Sequence, residues 1–375
     1  MSVTIKEVKT KRELKQFVEF NIKLYKNCPY HVPGLISEEM MTLDRQKNPS
    51  FDFCEAKYFL AYQEGKIVGR IAGIINHKAN EHWKETNVRF GFIDFIDDEN
   101  VSAALMNAVE EWGKEKGMNA IHGPLGFTDL DHEGLLVWGF EELGTMATTY
   151  SYPYYKDHLE KSGYEKDQDW NEFRITMPDD VPEKYSRISQ IVLRKYGLKI
   201  KKFKKTKEIL PYAHRIFDLW NEAYKPLYGY SELSPRQIDY YVKMYIPMLD
   251  LDLVTLVVKE DDDSIVGVAI SLPSLSKALK KAKGRMFPFG WAYLLNAFYG
   301  KNDVVDLYIM GVAPEYQGKG VNALMFNDLI PIYNRKGYVY SESNPELEMN
   351  TKMQSQWADY DVIHHKTRRA FIKKL

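Results

Sequence analysis

The chain is poor in cysteine. Its two, Cys28 and Cys54, fit neither a disulfide framework nor a metal-ligand spacing. A reducing, cytoplasmic setting without a bound metal is the resulting expectation. Long apolar runs are also missing: none approaches the roughly 18 residues of a membrane span. The opening stretch MSVTIKEVKTKRELK is polar and charged, so it does not read as a secretory leader. Neither sign of charge is in excess. The 51 Lys and Arg against 52 Asp and Glu leave a formal net charge of -1, so no nucleic-acid partner is expected. Two common phosphate-binding signatures are absent as well. No glycine loop runs into Lys followed by Ser or Thr, and the three-glycine dinucleotide fingerprint does not occur. What remains is an ordinary globular composition, 45 % hydrophobic and 27 % charged, in a 375-residue chain long enough for two domains. The 26 tyrosines point to amphipathic surfaces or a roomy apolar cleft.

The elements repeat. A strand in VTIKEVK is followed by a helix from about residue 11 to 26, then a hairpin in AKYFLAYQEGKIVGRIAGII turning at EGK. The strand VRFGFIDFI comes next, then a helix in which Val101, Leu105, Ala108, Val109 and Trp112 recur at helical spacing. The second half runs through LKIKKFKK as a strand, KEILPYAHRIFDLWNEAY as a helix, and LVTLVVKEDDDSIVGVAISL as a hairpin. VVDLYIMGV is then a strand, and a helix begins at Val321. The lysines from Lys199 to Lys205 read as the exposed face of their strand. The pattern predicts an α/β fold of two tandem units, 1–195 and 196–375, each a mixed sheet flanked by helices. A helix within 179–196 joins them.

Between VVDLYIMGV and its helix lies VAPEYQGKGVN. Two glycines between a strand and a helix N-terminus let backbone amides converge on an anion. The amides of Gly318, Lys319, Gly320, Val321 and Asn322 are placed to cradle a diphosphate, with charge from Lys319. The bland alternative is a β-to-α turn that happens to contain glycine. The stretch resembles the coenzyme A loop of the GCN5-related N-acetyltransferases, whose pattern is Gln or Arg, two residues, Gly, one residue, then Gly or Ala. Gln317 and Gly320 match, and Asn322 stands at the last small position. The later helix of that family carries a coenzyme-contacting Asn, matched by Asn350. It also carries a tyrosine acid for the leaving thiolate, where this chain has Trp357. Tryptophan cannot transfer that proton, which leaves a neighbour such as Tyr360.

In the first half, LEKSGY resembles the same helix, with Tyr152 and Tyr155 at the Asn and Ala positions. Asp97, Asp98 and Glu99 replace the anion loop and would repel a diphosphate. The segment GPLGFTDLDHEGLLVW reads as the wall of an acceptor cleft, with Asp129, Asp131, His132 and Glu133 receiving an amine. It reads equally as a solvated loop at the domain junction.

The resemblance implies acetyl-CoA or another acyl-CoA as co-substrate and a primary amine, small or amphiphilic, as acceptor. The amide near Val312 would stabilise the oxyanion. Acyl transfer also needs a base. Histone-type members place a glutamate eleven residues before the loop Gln, and Asp306 stands at that distance from Gln317, though it reads also as the polar start of its strand. By alternation Asp306, Tyr308 and Met310 share a face. Glu342 is the second candidate base. His364 and His365 read as part of a terminal strand rather than a site.

About 30 residues separate the hairpin from the next strand. Lys277, Lys280, Lys281, Lys283 and Arg285 precede Phe287, Phe289, Trp291 and Tyr293. The stretch 274–300 suits peripheral membrane contact or an amphiphilic substrate. It reads equally as a solvated lysine-rich helix followed by a packed one. Two other functions stay open: a catalytically silent binding protein with this fold, and an aminoacyl or long-chain acyl transferase with the same tandem arrangement.

Overall fold

The computed structural model describes residues 2–375. Its strands are β1 (Thr4–Glu7), β2 (Cys54–Gln63), β3 (Lys66–Asn76), β4 (Asn87–Phe95), β5 (Ala120–Gly123), β6 (Leu135–Trp138) and β7 (Glu165–Thr176). The second half contributes β8 (Leu198–Lys201), β9 (Val254–Lys259), β10 (Ile265–Pro273), β11 (Val304–Val312), β12 (Tyr340–Ser343), β13 (Glu346–Leu347) and β14 (Val362–Lys374). One mixed sheet runs through the molecule in the order β1-β2-β3-β4-β5-β14-β7-β12-β11-β10-β9-β8.

Alternation along the strands feeds a core on each face. Ile71 and Ile75 of β3 pack with Val101, Leu105, Val109 and Trp112 of the helix Glu99–Glu115. Ala72 and Ile74 face the other way, towards Phe17 and Val18 of the helix Lys11–Leu24. Gly73 gives Trp112 its place, since a Cβ there would stand 2.8 Å from the indole. In the second half, Val257, Val266 and Ala269 meet the helix Val321–Lys336, and Leu256, Val268 and Ile270 meet the helix Thr206–Tyr224. The expected mixed sheet with flanking helices is therefore observed.

The sheet does not divide at residue 195. β14, at the end of the chain, lies between β5 and β7, and β7 pairs with β12. Each half thus lends its last strand to the other. Buried charges fix this exchange. Lys366 Nζ lies 2.8 Å from Glu172 Oε2, and Arg368 reaches the other oxygen. Burial opposes charge on Glu172, but Arg368 and Lys366 outweigh it and hold the carboxyl down at about 2. A strand slipped by one residue would leave these charges unpaired, at a cost of several kcal/mol per ion.

Both halves splay. β4 pairs with β5 only over Asn87–Arg89, and β11 pairs with β12 only over Val304–Leu307. Beyond Leu307 one edge of β11 is open, and a cleft between the halves begins there.

Candidate functional site

The splay of β11 starts at a bulge. Asp306 pairs with Leu272, Leu307 with Ser271 and Ile309 with Ile270, so Tyr308 is the extra residue. The bulge reverses the strand's phase. Leu307, Met310 and Val312 share one core and Ile309 belongs to the other. The expected common face of Asp306, Tyr308 and Met310 is therefore lost.

Ala313 N donates to Val266 O at 2.9 Å, so Gly311 and Ala313 turn towards β10, and Met310 and Val312 turn towards the open edge. Side chains cap the carbonyls of that edge. Asn344 donates to Tyr308 O at 2.6 Å, Tyr224 to Met310 O at 3.2 Å and Gln317 to Val312 O at 3.2 Å. The amides of Met310 and Val312 are left for a ligand that adds along the edge.

The glycine loop lies just beyond. Gly318 and Gly320 sit at φ +73 and +85, and a Cβ at Gly320 would stand 2.8 Å from Ile188. Glycine is required there on both counts. The helix Val321–Lys336 starts without a side-chain cap. The amides of Gly318, Gly320, Val321 and Asn322 find no acceptor among the described residues. A diphosphate fits that set of donors. Lys319 departs from expectation. Its amide donates to Tyr316 O at 3.2 Å, and its Nζ sits over the rings of Tyr316 and Tyr196, outside the cleft lining.

The same place in the first half is filled from within. Asp98 caps its own helix through Asn100 N at 2.9 Å, Asp97 meets His158 at 3.1 Å and Glu99 pairs with Lys161. Tyr155 stacks on Phe95 at 4.1 Å, and its hydroxyl accepts Phe95 N at 3.0 Å. Phe95 ends β4 as Val312 ends β11, so the counterpart amide is already used.

Loop, open edge and first-half wall enclose a cavity of about 1480 Å³. That exceeds the roughly 300–1,000 Å³ of ordinary small-molecule sites. Much of the wall is soft and apolar: Met41, Met146, Met244, Met248, Met286, Met310, Met349 and Met353 line it, with Trp170, Trp220, Tyr224 and Tyr228. Asn350 lines it too; its Oδ1 accepts Met353 N at 3.2 Å and leaves Nδ2 free.

The first-half wall is acidic. After β5 the chain crosses the splay of β4, where Leu125 N donates to Phe90 O at 2.8 Å, and then brings Asp129, Asp131, His132 and Glu133 into the cleft. Burial, then repulsion from Asp129, pushes the Glu133 carboxyl well up. Burial and Asp131 push Asp129 up to about 7 against the pull of Arg89. Arg89 itself donates to Gly126 O and Gly229 O, not to a carboxylate. Asp129 Oδ1 and Glu133 Oε1 are buried without a partner. His132 Nε2 lies 3.0 Å from Met146 O, which can only accept, so the neutral ring keeps its lone pair on Nδ1. His132 is exposed to the open cleft, but the protein massed around that cleft holds the imidazole below its ordinary range.

The structure brings Val312, Gln317, Gly318, Gly320, Val321, Asn322 and Asn350 to the cleft, and leaves out Asp306, Glu342 and Tyr360. Asp306 is buried beside Glu342, on the face that the bulge turns away, with its carboxyl pushed up to about 7 by burial. Glu342 is occupied by His365 at 2.7 Å and Arg174 at 3.3 Å. Tyr360 packs behind Trp357 against Tyr185 and Phe326. Sequence reasoning missed Glu346. It lines the cleft and is almost buried. Its Oε1 accepts the indole N–H of Trp357 at 2.9 Å, and its Oε2 has no partner. Burial pushes it up to about 7, so about half of it carries a proton at neutral pH. The only signal in the sequence is an acid in the turn SNPELEMN ahead of Asn350.

The fold is that of a tandem GCN5-related N-acetyltransferase. A tandem protein of this kind from the clavulanic acid biosynthesis pathway aligns over 100 % of this chain and 98 % of its own, with a TM-score of 0.58 at 10 % identity. A GCN5-related N-acetyltransferase from Sphaerobacter thermophilus gives 0.51 over 99 % and 95 %, at 12 % identity. Among curated proteins, the chain is similar to a bacterial ceramide synthase of Caulobacter vibrioides, at 28 % identity over 98 % of this chain and 96 % of the relative. It is similar also to protein YghO of Escherichia coli, at 27 % identity over 97 % and 94 %. No family model matches the chain.

Proposed function

We propose that this cleft transfers an acyl group from a coenzyme A thioester to the primary amine of a long-chain amino alcohol, or of a comparable amphiphilic amine. The observation that carries the reading is the uncapped amide cradle at Gly318–Asn322, continuous through the open edge of β11 with an acidic, methionine-lined cavity. The cradle suits an anionic donor and the acids suit a cationic acceptor. The name of the Caulobacter relative supports the choice of acceptor, since a ceramide is a fatty amide of a long-chain amino alcohol. Each methylene buried against the apolar wall would contribute about 0.8 kcal/mol.

The residues divide the work as follows. Asp129 and Glu133 receive the ammonium. Nδ1 of His132 takes a proton, which leaves a neutral amine to attack the thioester carbonyl. Val312 N–H donates to the carbonyl oxygen as it gains charge. The C–N bond forms and the nitrogen sheds its second proton, the C–S bond breaks, and Glu346 supplies the proton that the departing thiolate takes. The shed proton restores Glu346, and His132 releases its own to water. Trp357 taken alone speaks for a silent protein. Paired with Glu346, it holds the acid that a tyrosine would otherwise supply.

Calorimetric titration with coenzyme A tests the cofactor half of this reading. One site per chain is expected, abolished by Gly320→Glu and unaffected by Asp98→Asn. Two sites, or binding that survives Gly320→Glu, would remove the cradle from the account.

A further inference from the structure

The segment between β10 and β11 remains unexplained by that chemistry. From 274 to 302 it carries Lys277, Lys280, Lys281, Lys283, Arg285 and Lys301 and no acidic residue. It folds as two short helices, Ser276–Ala282 and Gly290–Tyr299, joined by a turn. Their inner side bounds the cleft through Leu275, Leu279, Met286 and Leu294. Their outer side is apolar and exposed. Phe287 is 79 % exposed, Phe289 65 % and Tyr299 87 %, and Trp291 and Leu295 are also exposed. Large aromatics clustered in the open mark a contact surface rather than ordinary scatter.

The charges around them choose the partner. Lys277 is paired with Asp303 at 2.9 Å and Arg285 with Glu19 at 3.0 Å. Lys281, Lys283 and Lys301 meet no acid among the described residues. Unpaired lysines flanking projecting aromatics match a surface that is apolar beneath a layer of negative charge. No helix of the described residues is long and apolar enough to cross a membrane, so the contact would be peripheral.

We propose that this face docks the protein on an anionic lipid bilayer, with Phe287 and Phe289 entering at headgroup level and Lys281 and Lys283 against the phosphates. The inner side of the same two helices forms part of the cleft wall, so a chain-bearing molecule leaving the bilayer here would meet the methionine-lined cavity without crossing bulk water. That last consequence rests on the amine-acylation reading; the docking itself does not.

The test is flotation of the full chain with vesicles of phosphatidylglycerol and phosphatidylethanolamine, and with vesicles of phosphatidylcholine alone. Binding to the anionic vesicles is expected, weakened at high salt and roughly tenfold lower on the neutral ones. Phe287→Ser with Phe289→Ser, and separately Lys281→Glu with Lys283→Glu, should each reduce it by about tenfold or more. Their melting temperatures and affinities for coenzyme A should stay unchanged. Flotation that is absent, or equal for both double variants and the parent, overturns the proposal. So does a parent that elutes as a dimer which the phenylalanine variants split, because the face is then a protein interface. Flotation is read without turnover. A chain that floats yet acylates nothing keeps the docking and loses the acylation, and the reverse result separates them the other way.

Discussion

Trp357 donates its indole N–H to Oε1 of Glu346 at 2.9 Å, on the wall that also carries Asn350. The contact holds a carboxyl whose other oxygen is buried and unpartnered. Glu346→Gln should lower kcat by about 10²-fold or more, with coenzyme A affinity little changed. An acid must be protonated to work, so turnover should fall as pH rises through about 7, the value to which burial pushes this group. The variant should lose that alkaline limb. Trp357→Phe should keep the limb but shift it. An unaltered pH profile in Glu346→Gln would assign the proton to another donor.

His132 should set the other limb. Its ring is held below the ordinary 6.5 by the protein enclosing the cleft, and its base form persists to that lower pH. Activity should therefore show no loss as pH falls to 6.5 and drop only below it. His132→Gln should reduce kcat by about 10²-fold or more and remove the acid limb. A drop that begins above pH 7 would contradict the assignment.

The acidic wall makes a separate prediction, in KM. Asp129 is pushed up to about 7 and Glu133 well above its ordinary range, by burial first and neighbouring carboxylates second. These acids hold protons that an arriving ammonium must displace. KM for a cationic amine should fall as pH rises through about 7. Asp129→Asn should raise KM while leaving thioester binding intact, read by titration of each substrate separately.

Asp306 gives a stability prediction. Its folded value near 7 lies above its ordinary 3.8, so the folded chain keeps a proton that the unfolded chain releases. The group therefore costs nothing at low pH and destabilises as pH rises from about 4 through 7. Asp306→Asn should stabilise the fold by up to the order of 4 kcal/mol at pH 8 and by little at pH 4, with turnover preserved. Glu172 has the opposite sign. Its depressed value makes its contribution full at neutral pH and lost as pH falls from about 4 towards 2. Denaturant melts at several pH values read both.

Much of this was legible in the sequence because it is local. The strand VVDLYIMGV, the glycine pair and the helix at Val321 follow one another along the chain, and Gly318 and Gly320 take the positive φ that only such a loop requires. The acidic counterpart at Asp97–Glu99 is equally local. The reading failed where a partner strand decides the answer. The bulge at Tyr308 arises between β10 and β11, and no alternation rule contains it. It removed Asp306 from the cleft. The exchange of β7 and β14 is likewise a choice between distant partners that residue pattern leaves open. Glu346 became recognisable only once Trp357 was placed against it. The helix Pro235–Tyr245 is a different case, since Ser234, Pro235 and Gln237 form a capping box that was there to be read.

On the proposed reading, one cleft makes an amide from a thioester and a long-chain amine. The most direct measurement is mass spectrometry of the products when the purified chain meets a long-chain acyl-CoA and a long-chain amino alcohol, with free thiol counted in parallel. The account predicts the N-acyl product and free coenzyme A in equal amounts, formed faster than with acetyl-CoA and ethanolamine, and lost in Gly320→Glu. Absence of amide with every acyl-CoA tried, or rates with the short pair that match those with the long one, would contradict it.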